Sequence, residues 1–301
     1  MAFSLSAALT AAATGFWPLL VALVIGNPAS TALVSVSQAT LMDADPCNRE
    51  RNMARWTLAG SVGVVAGPAL LAVAVAAGIG WRGALVLLAA AALPFAWAAP
   101  RAGRSPAHRG AGIAAGLRGA VAALRDRKVV RWLAVLATSD LMLDVLHGFL
   151  ALYFVNVVGT SPVRGALAVT VWTSASLVGD ALLLLILRHA RGAAYLRASA
   201  VATCAAFPAF LLVPGVAGKL ILLGALGLLN SGWYAIPKAG LYDALPDRSG
   251  TAIAVGSLKG WAGALVLLAV GFTADAIGLE ATMWLLLAAP LGLLALVPRS
   301  R

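Results

Sequence analysis

A bilayer core about 30 Å thick is crossed by about 20 apolar residues of helix, and this chain of 301 residues repeats that length again and again. Ala2 to Met42 contains no charged side chain. Further uncharged or nearly uncharged stretches, most of roughly 17 to 26 residues, begin near Trp56, Gly83, Trp132, Gly165, Ala198, Leu220, Gly250 and Ala281. Short polar loops separate them. The expected fold class is an all-α polytopic membrane protein, a helical bundle of about nine full transmembrane helices with a partial one at its N-terminal end. Charged residues make up 11 % of the chain and hydrophobic ones 61 %, whereas a soluble protein carries about 25 % charge. Cys47 and Cys204 are the only cysteines, too few for a disulfide framework.

The net charge of +11 suggests an anionic partner until its placement is considered. Lys and Arg accumulate in loops left on the cytoplasmic side. If the loop from Arg101 to Arg131 is inside and the spans alternate from there, inside loops hold seventeen basic residues. These lie at Arg49–Arg55, Arg101–Arg131, Arg188–Arg197, Arg248, and Arg299 with Arg301. Outside loops hold Arg82, Arg164 and Lys219, and two lysines, Lys238 and Lys259, fall within spans. The basic excess is therefore read as topology, with an inner (plasma) membrane location, a cytoplasmic C-terminus and no nucleic acid partner. The Arg-rich loop divides the chain into an N-terminal bundle (1–99), a basic linker (100–131) and a C-terminal six-helix bundle (132–301). Within the linker, Ile113, Leu117, Val121 and Leu124 recur at helical spacing, which suits a helix lying on the inner membrane surface.

The first forty residues are too short for two spans and too long for one. Gly15 to Pro18 reads as a break, with Trp17 at an interface. Ala2–Thr14 then spans only about 20 Å at 1.5 Å per residue.

Several stretches together resemble the major facilitator superfamily, whose members join six and six helices by a basic cytoplasmic loop. Asp43-Ala-Asp-Pro46 with Arg49, Arg51 and Arg55 is similar to the family's loop between helices 4 and 5. Gly63-Val-Val-Ala-Gly67-Pro68 is similar to the helix 5 motif of the antiporter branch, although Leu71-Ala72 replaces the small pair expected after it. Gly80-Trp81-Arg82 resembles the turn into helix 6. Gly179-Asp180 with Arg188-His189-Ala190-Arg191 resembles the gating loop between helices 8 and 9, and Leu245-Pro246-Asp247-Arg248-Ser249-Gly250 the loop between helices 10 and 11. The resemblance implies a secondary transporter working by alternating access, with gating roles for Gly63, Gly67, Pro68, Asp180, Arg188, Asp247 and Arg248. In this alignment residues 1–14 match only the last part of helix 3, so the chain is expected to be truncated relative to the family. Helix 10 lines the family's cavity, which makes Asn230, Trp233 and Tyr234 candidates for contact with a small-molecule substrate. An aromatic wall suits a large apolar or cationic one.

Ionisable groups at bilayer depth are costly and mark functional sites. Asp140, Asp144 and His147 share one helical face at spacings of four and three. An apolar site disfavours the charged form of either side-chain type, so these groups can exchange protons near neutral pH, as a coupling proton requires. Lys259, flanked by Gly256 and Gly260, demands an anionic neighbour, for which Asp140, Asp144, Asp180 and an anionic substrate are the candidates. Lys238, near an inner end, can snorkel to the interface. No Gly-x-x-x-x-Gly-Lys-Ser/Thr loop occurs. No catalytic residue, metal site or cofactor is read, and the chain is not expected to be an enzyme. Three other readings remain: a non-transporting remnant or partner subunit, a ten-helix carrier of the drug/metabolite type, and a membrane prenyltransferase using Asp140-Leu-Met-Leu-Asp144.

Overall fold

The computed structural model describes residues 2–98, 113–246 and 248–298. No strand occurs among them. The helices are α1 (Ala2–Ala12), α2 (Phe16–Ala44), α3 (Arg49–Ala76), α4 (Gly80–Ala98), α5 (Ile113–Ala123) and α6 (Arg127–Asp140). α6 runs on through a π segment (Leu141–Leu146), α7 (His147–Leu152) and a second π segment (Tyr153–Val157). Then come α8 (Pro162–Ile186), α9 (Gly192–Leu212), α10 (Val216–Leu229), α11 (Ala235–Asp243), α12 (Ser249–Ile277), α13 (Leu279–Trp284) and α14 (Ala288–Leu296). Counting contiguous segments as one rod, and α10 with α11 as one interrupted rod, gives nine membrane-length rods among the described residues, preceded by the short α1. Five stretches are long and apolar enough to cross a bilayer by length and composition: Phe16–Ala44, Pro46–Ala76, Pro162–Ile186, Gly192–Leu212 and Leu279–Leu296.

Lipid as solvent explains which faces stay open. Phe95 is 77 % and Ile221 74 % exposed, and the apolar faces of α2 and α3 are almost entirely uncovered by protein. Water-soluble chains rarely expose apolar patches of this extent. Trp17 and Trp97 also face outward, as interface anchors do. Trp56 and Trp132 do not. Trp56 stacks on Tyr234 at 6.2 Å between ring centroids, and the Trp132 indole lies where a side chain on Gly240 would stand.

Two compact units can be drawn, with cuts inside α2 and inside α3. The first holds residues 1–41 and 63–111. In it α1 packs along α4, and Arg82 Nη2 donates to the Ala13 carbonyl at 2.9 Å, capping the chain just past α1. Gly26 of α2 gives room to Ser6 of α1, whose Oγ donates to the Ala22 carbonyl at 2.8 Å. No atom would meet a Cβ within 4 Å at Gly63 or Gly67.

The second unit holds residues 42–62 and 112–301. Asp126 caps α6, its Oδ1 accepting from the Lys128 N–H at 2.8 Å. α8 packs on α10, α14 on α6 and α9, and α12 on α5 and α6. On α5, Ala120 and Ala123 are buried while Val121, and Leu124 just past the helix, face outward. Arg131 Nε donates to the Leu296 carbonyl and Arg197 Nη2 to that of Val297 at 3.1 Å. Two cations thus meet the carbonyl end of α14, where the helix dipole favours them. Lys219, taken from the sequence as an outer-loop residue, is buried in α10 instead. Its Nζ donates to the carbonyls of Phe210 and Leu211, each at 2.9 Å, and to Tyr153 Oη at 3.0 Å. All three ammonium protons are used, and two of them close the end of α9.

Candidate functional site

Asp140 is the last residue of α6, and the chain enters a π segment directly after it. A π turn spends an extra residue per turn, and such bulges cluster at functional sites. Asp140 forms an ion pair with Lys259 of α12. The two side chains are 14 % and 18 % exposed. Of the three carboxylates open to Lys259 in the sequence, Asp140 is the one that pairs with it.

The pair faces a cavity of about 340 Å³ between the α6 rod and α12. Asp144, Leu141, Val145, Gly260, Gly263 and Leu267 share its lining. Asp144 has no ion pair among the described residues. His147 is not part of this lining. The expected single face assumed uniform α geometry; the π segment alters the phase between Asp144 and His147. A larger cleft of about 1300 Å³ shares Ala264 and Leu267 with the first cavity. Phe149, Asn156, Phe272, Asp275, Glu280 and Trp284 line it. Asp275 and Glu280 close a span in the sequence and carry no signal of this cleft.

Lys238 does not snorkel. It is 8 % exposed, its Nζ stands 2.9 Å from where a Cβ on Gly256 would be, and it interacts electrostatically with Asp140 and Lys259. Gly256 is therefore the notch that admits the Lys238 ammonium, while Gly260 lines the cavity.

The rod after α9 is broken. α10 ends at Leu229, α11 begins at Ala235, and Gly232 between them has φ +79°. Asn230 and Trp233 are buried in this break. Trp233 Nε1 donates to Ser199 Oγ at 2.9 Å and Thr203 Oγ1 to Asn230 Oδ1 at 3.4 Å, both from α9. Tyr234 is half-buried, beneath Trp56. None of the three lines either cavity.

The gating candidates separate. Asp180 is buried and does not reach Arg188; it accepts from Ser61 Oγ of α3 at 2.6 Å and from the Gly232 N–H. Arg188 and Arg248 are exposed, and Asp247 lies outside the described residues. Two further contacts of the first half of α3 went unread in the sequence. Arg49 Nη1 pairs with Asp243 Oδ1 of α11 at 2.9 Å, and Glu50 Oε2 accepts from the Gly192 N–H at 3.2 Å. A carboxylate at the first residue of α9 suits that end of the helix dipole.

No family model and no curated protein matches the chain. Solved structures do. One described as the major facilitator superfamily transporter FucP in the outward conformation is 18 % identical, with a TM-score of 0.74 over 98 % of this chain and 79 % of its own. A variant of the E. coli fucose:proton symporter FucP is 17 % identical, with a TM-score of 0.71 over 99 % of this chain and 82 % of its own. The chain therefore has the major facilitator fold, as its loops and motifs implied.

Proposed function

We propose that the chain is a secondary transporter of a small molecule, working by alternating access and coupled to protons, in the inner membrane. The fold supports this, because its solved neighbours are described as transporters. The observation that carries the reading is the Asp140–Lys259 pair on the wall of a cavity that Asp144 also lines. Charges at bilayer depth persist where they face a cavity or each other, and here they do both. Since Lys259 is matched by Asp140, Asp144 is the lining group left to receive a proton or a cationic substrate.

The rocking bodies in this reading are residues 1–99 and 132–301, joined by the basic linker 100–131. The grip of Arg49, Glu50 and Ser61 on α11, α9 and α8 then serves as closure at the inner face. Arg49 meets an Asp243 side chain that is 54 % exposed, and exposed pairs contribute only about 0–1 kcal/mol. A weak pair suits a contact that must open in every cycle.

The resemblance at Gly63–Pro68 favours proton exchange against an exported cation, whereas one neighbour is described as a symporter. Proteoliposomes holding the full chain, with an imposed pH gradient, test both points. An interior made acidic should drive cation uptake under exchange, and an acidic exterior should do so under cotransport. Asp144→Asn should abolish the gradient-driven flux in either case while the protein stays folded. Undiminished flux in that variant removes Asp144 from the coupling role.

A further inference from the structure

Asp180 is a buried carboxylate that belongs neither to the charged cavity nor to an ion pair among the described residues. It lies in the C-terminal part of α8, 6 % exposed. Its partners are a hydroxyl and a backbone amide: Ser61 Oγ at 2.6 Å and the Gly232 N–H. The Tyr195 phenol of α9 is within electrostatic reach. No Lys, Arg or His pairs with Asp180 among the described residues.

The approach that allows this is specific. Gly179, immediately before Asp180, lies so close to the break that a Cβ there would overlap Ser231 Oγ and stand 3.1 Å from the Leu228 Cα. Gly232 adopts φ +79°, with Leu183 of α8 3.0 Å from where its Cβ would be. Two glycines thus bring α8 against the interrupted α10–α11 rod, and the Asp180 carboxylate closes the gap by accepting an amide that the broken helix leaves without its usual partner.

We propose that Asp180 is a proton-binding site that locks the helix break when ionised and releases it when neutral. Burial without a cation works against the charge, while the two donors work for it. A group balanced this way changes state in response to small changes around it. When the proton arrives on the carboxylate, the acid becomes a donor through its new O–H and loses acceptor capacity. The Ser61 hydroxyl can reverse its role and accept from that O–H; the Gly232 N–H, which can only donate, cannot. The amide of the break is therefore the contact that weakens. Asp180 thus ties proton occupancy to the break and to α3 together. This goes beyond the transport reading, because proton binding and local opening are both measurable without substrate.

The test uses the full chain in lipid nanodiscs. Infrared difference spectra taken as the pH is lowered should show the carbonyl stretch of a neutral carboxylic acid, absent in Asp180→Asn and retained in Asp144→Asn. Hydrogen exchange at a single pH should be several-fold faster across residues 230–234 in Asp180→Asn than in the wild type. Ser61→Ala keeps the carboxyl and so serves if Asp180→Asn does not fold; it should displace the midpoint of the acid band. The proposal fails if no acid band depends on Asp180, if that midpoint is unmoved, or if exchange across the break is the same with and without the carboxylate.

Discussion

Removing one member of the Asp140–Lys259 pair leaves the other charge at bilayer depth without its counter-ion. For a fully buried pair that costs about 3–5 kcal/mol, while removing both members is often close to neutral. At 14 % and 18 % exposure the lower end of that range applies. Lys259→Met alone should therefore lower the thermal unfolding midpoint of the purified protein, and Asp140→Asn in the same chain should restore most of the loss. A double-variant loss equal to the sum of the losses in Lys259→Met and Asp140→Asn alone would show that the pair contributes nothing as a pair. Lys238 presents a different case. Its ammonium depends on the space left by Gly256, so Gly256→Leu should destabilise by displacing Lys238, a loss that Lys238→Met should partly relieve.

The break between α10 and α11 rests on Gly232. At φ +79° any other L-residue pays roughly 1–2 kcal/mol for the left-handed conformation, and Leu183 and Ile236 stand 3.0–3.1 Å from where a Cβ would be. Gly232→Ala should lower the unfolding midpoint measurably; an unchanged midpoint would mean that the turn relaxes to another conformation at no cost. This element was not legible in the sequence. Asn230 to Tyr234 sit inside an apolar run whose length fits one span, and a lone glycine there also suits close helix packing. The π segments were hidden for a related reason, since hydrophobic length does not reveal an extra residue in a turn. Span lengths, the short α1 and the need of Lys259 for an acid were legible, because bilayer thickness and Coulomb attraction act on residue type alone. The partner of Asp180 was not: Arg188 is near in sequence, but Ser61 and Gly232 are near in space.

At the scale of the whole molecule, the asymmetry of basic residues predicts one orientation in the membrane. With the C-terminus on the inner side, as the placement of basic residues predicts, the turns at Ser161, Gly215 and Gly278 are expected on the outer face. Reporter fusions there should be active only where the outer compartment supports the reporter, and an inner signal from one of them would reverse that turn's assignment. The carbonyl end of α14 is held from two directions, by Arg131 at the base of the α6 rod and by Arg197 of α9. A sliding motion of the final helix would have to break both holds at once. These three rods are thus pinned together at one end, and of the three only the α6 rod carries π turns, where the backbone ladder is already out of step and a bend is expected to settle.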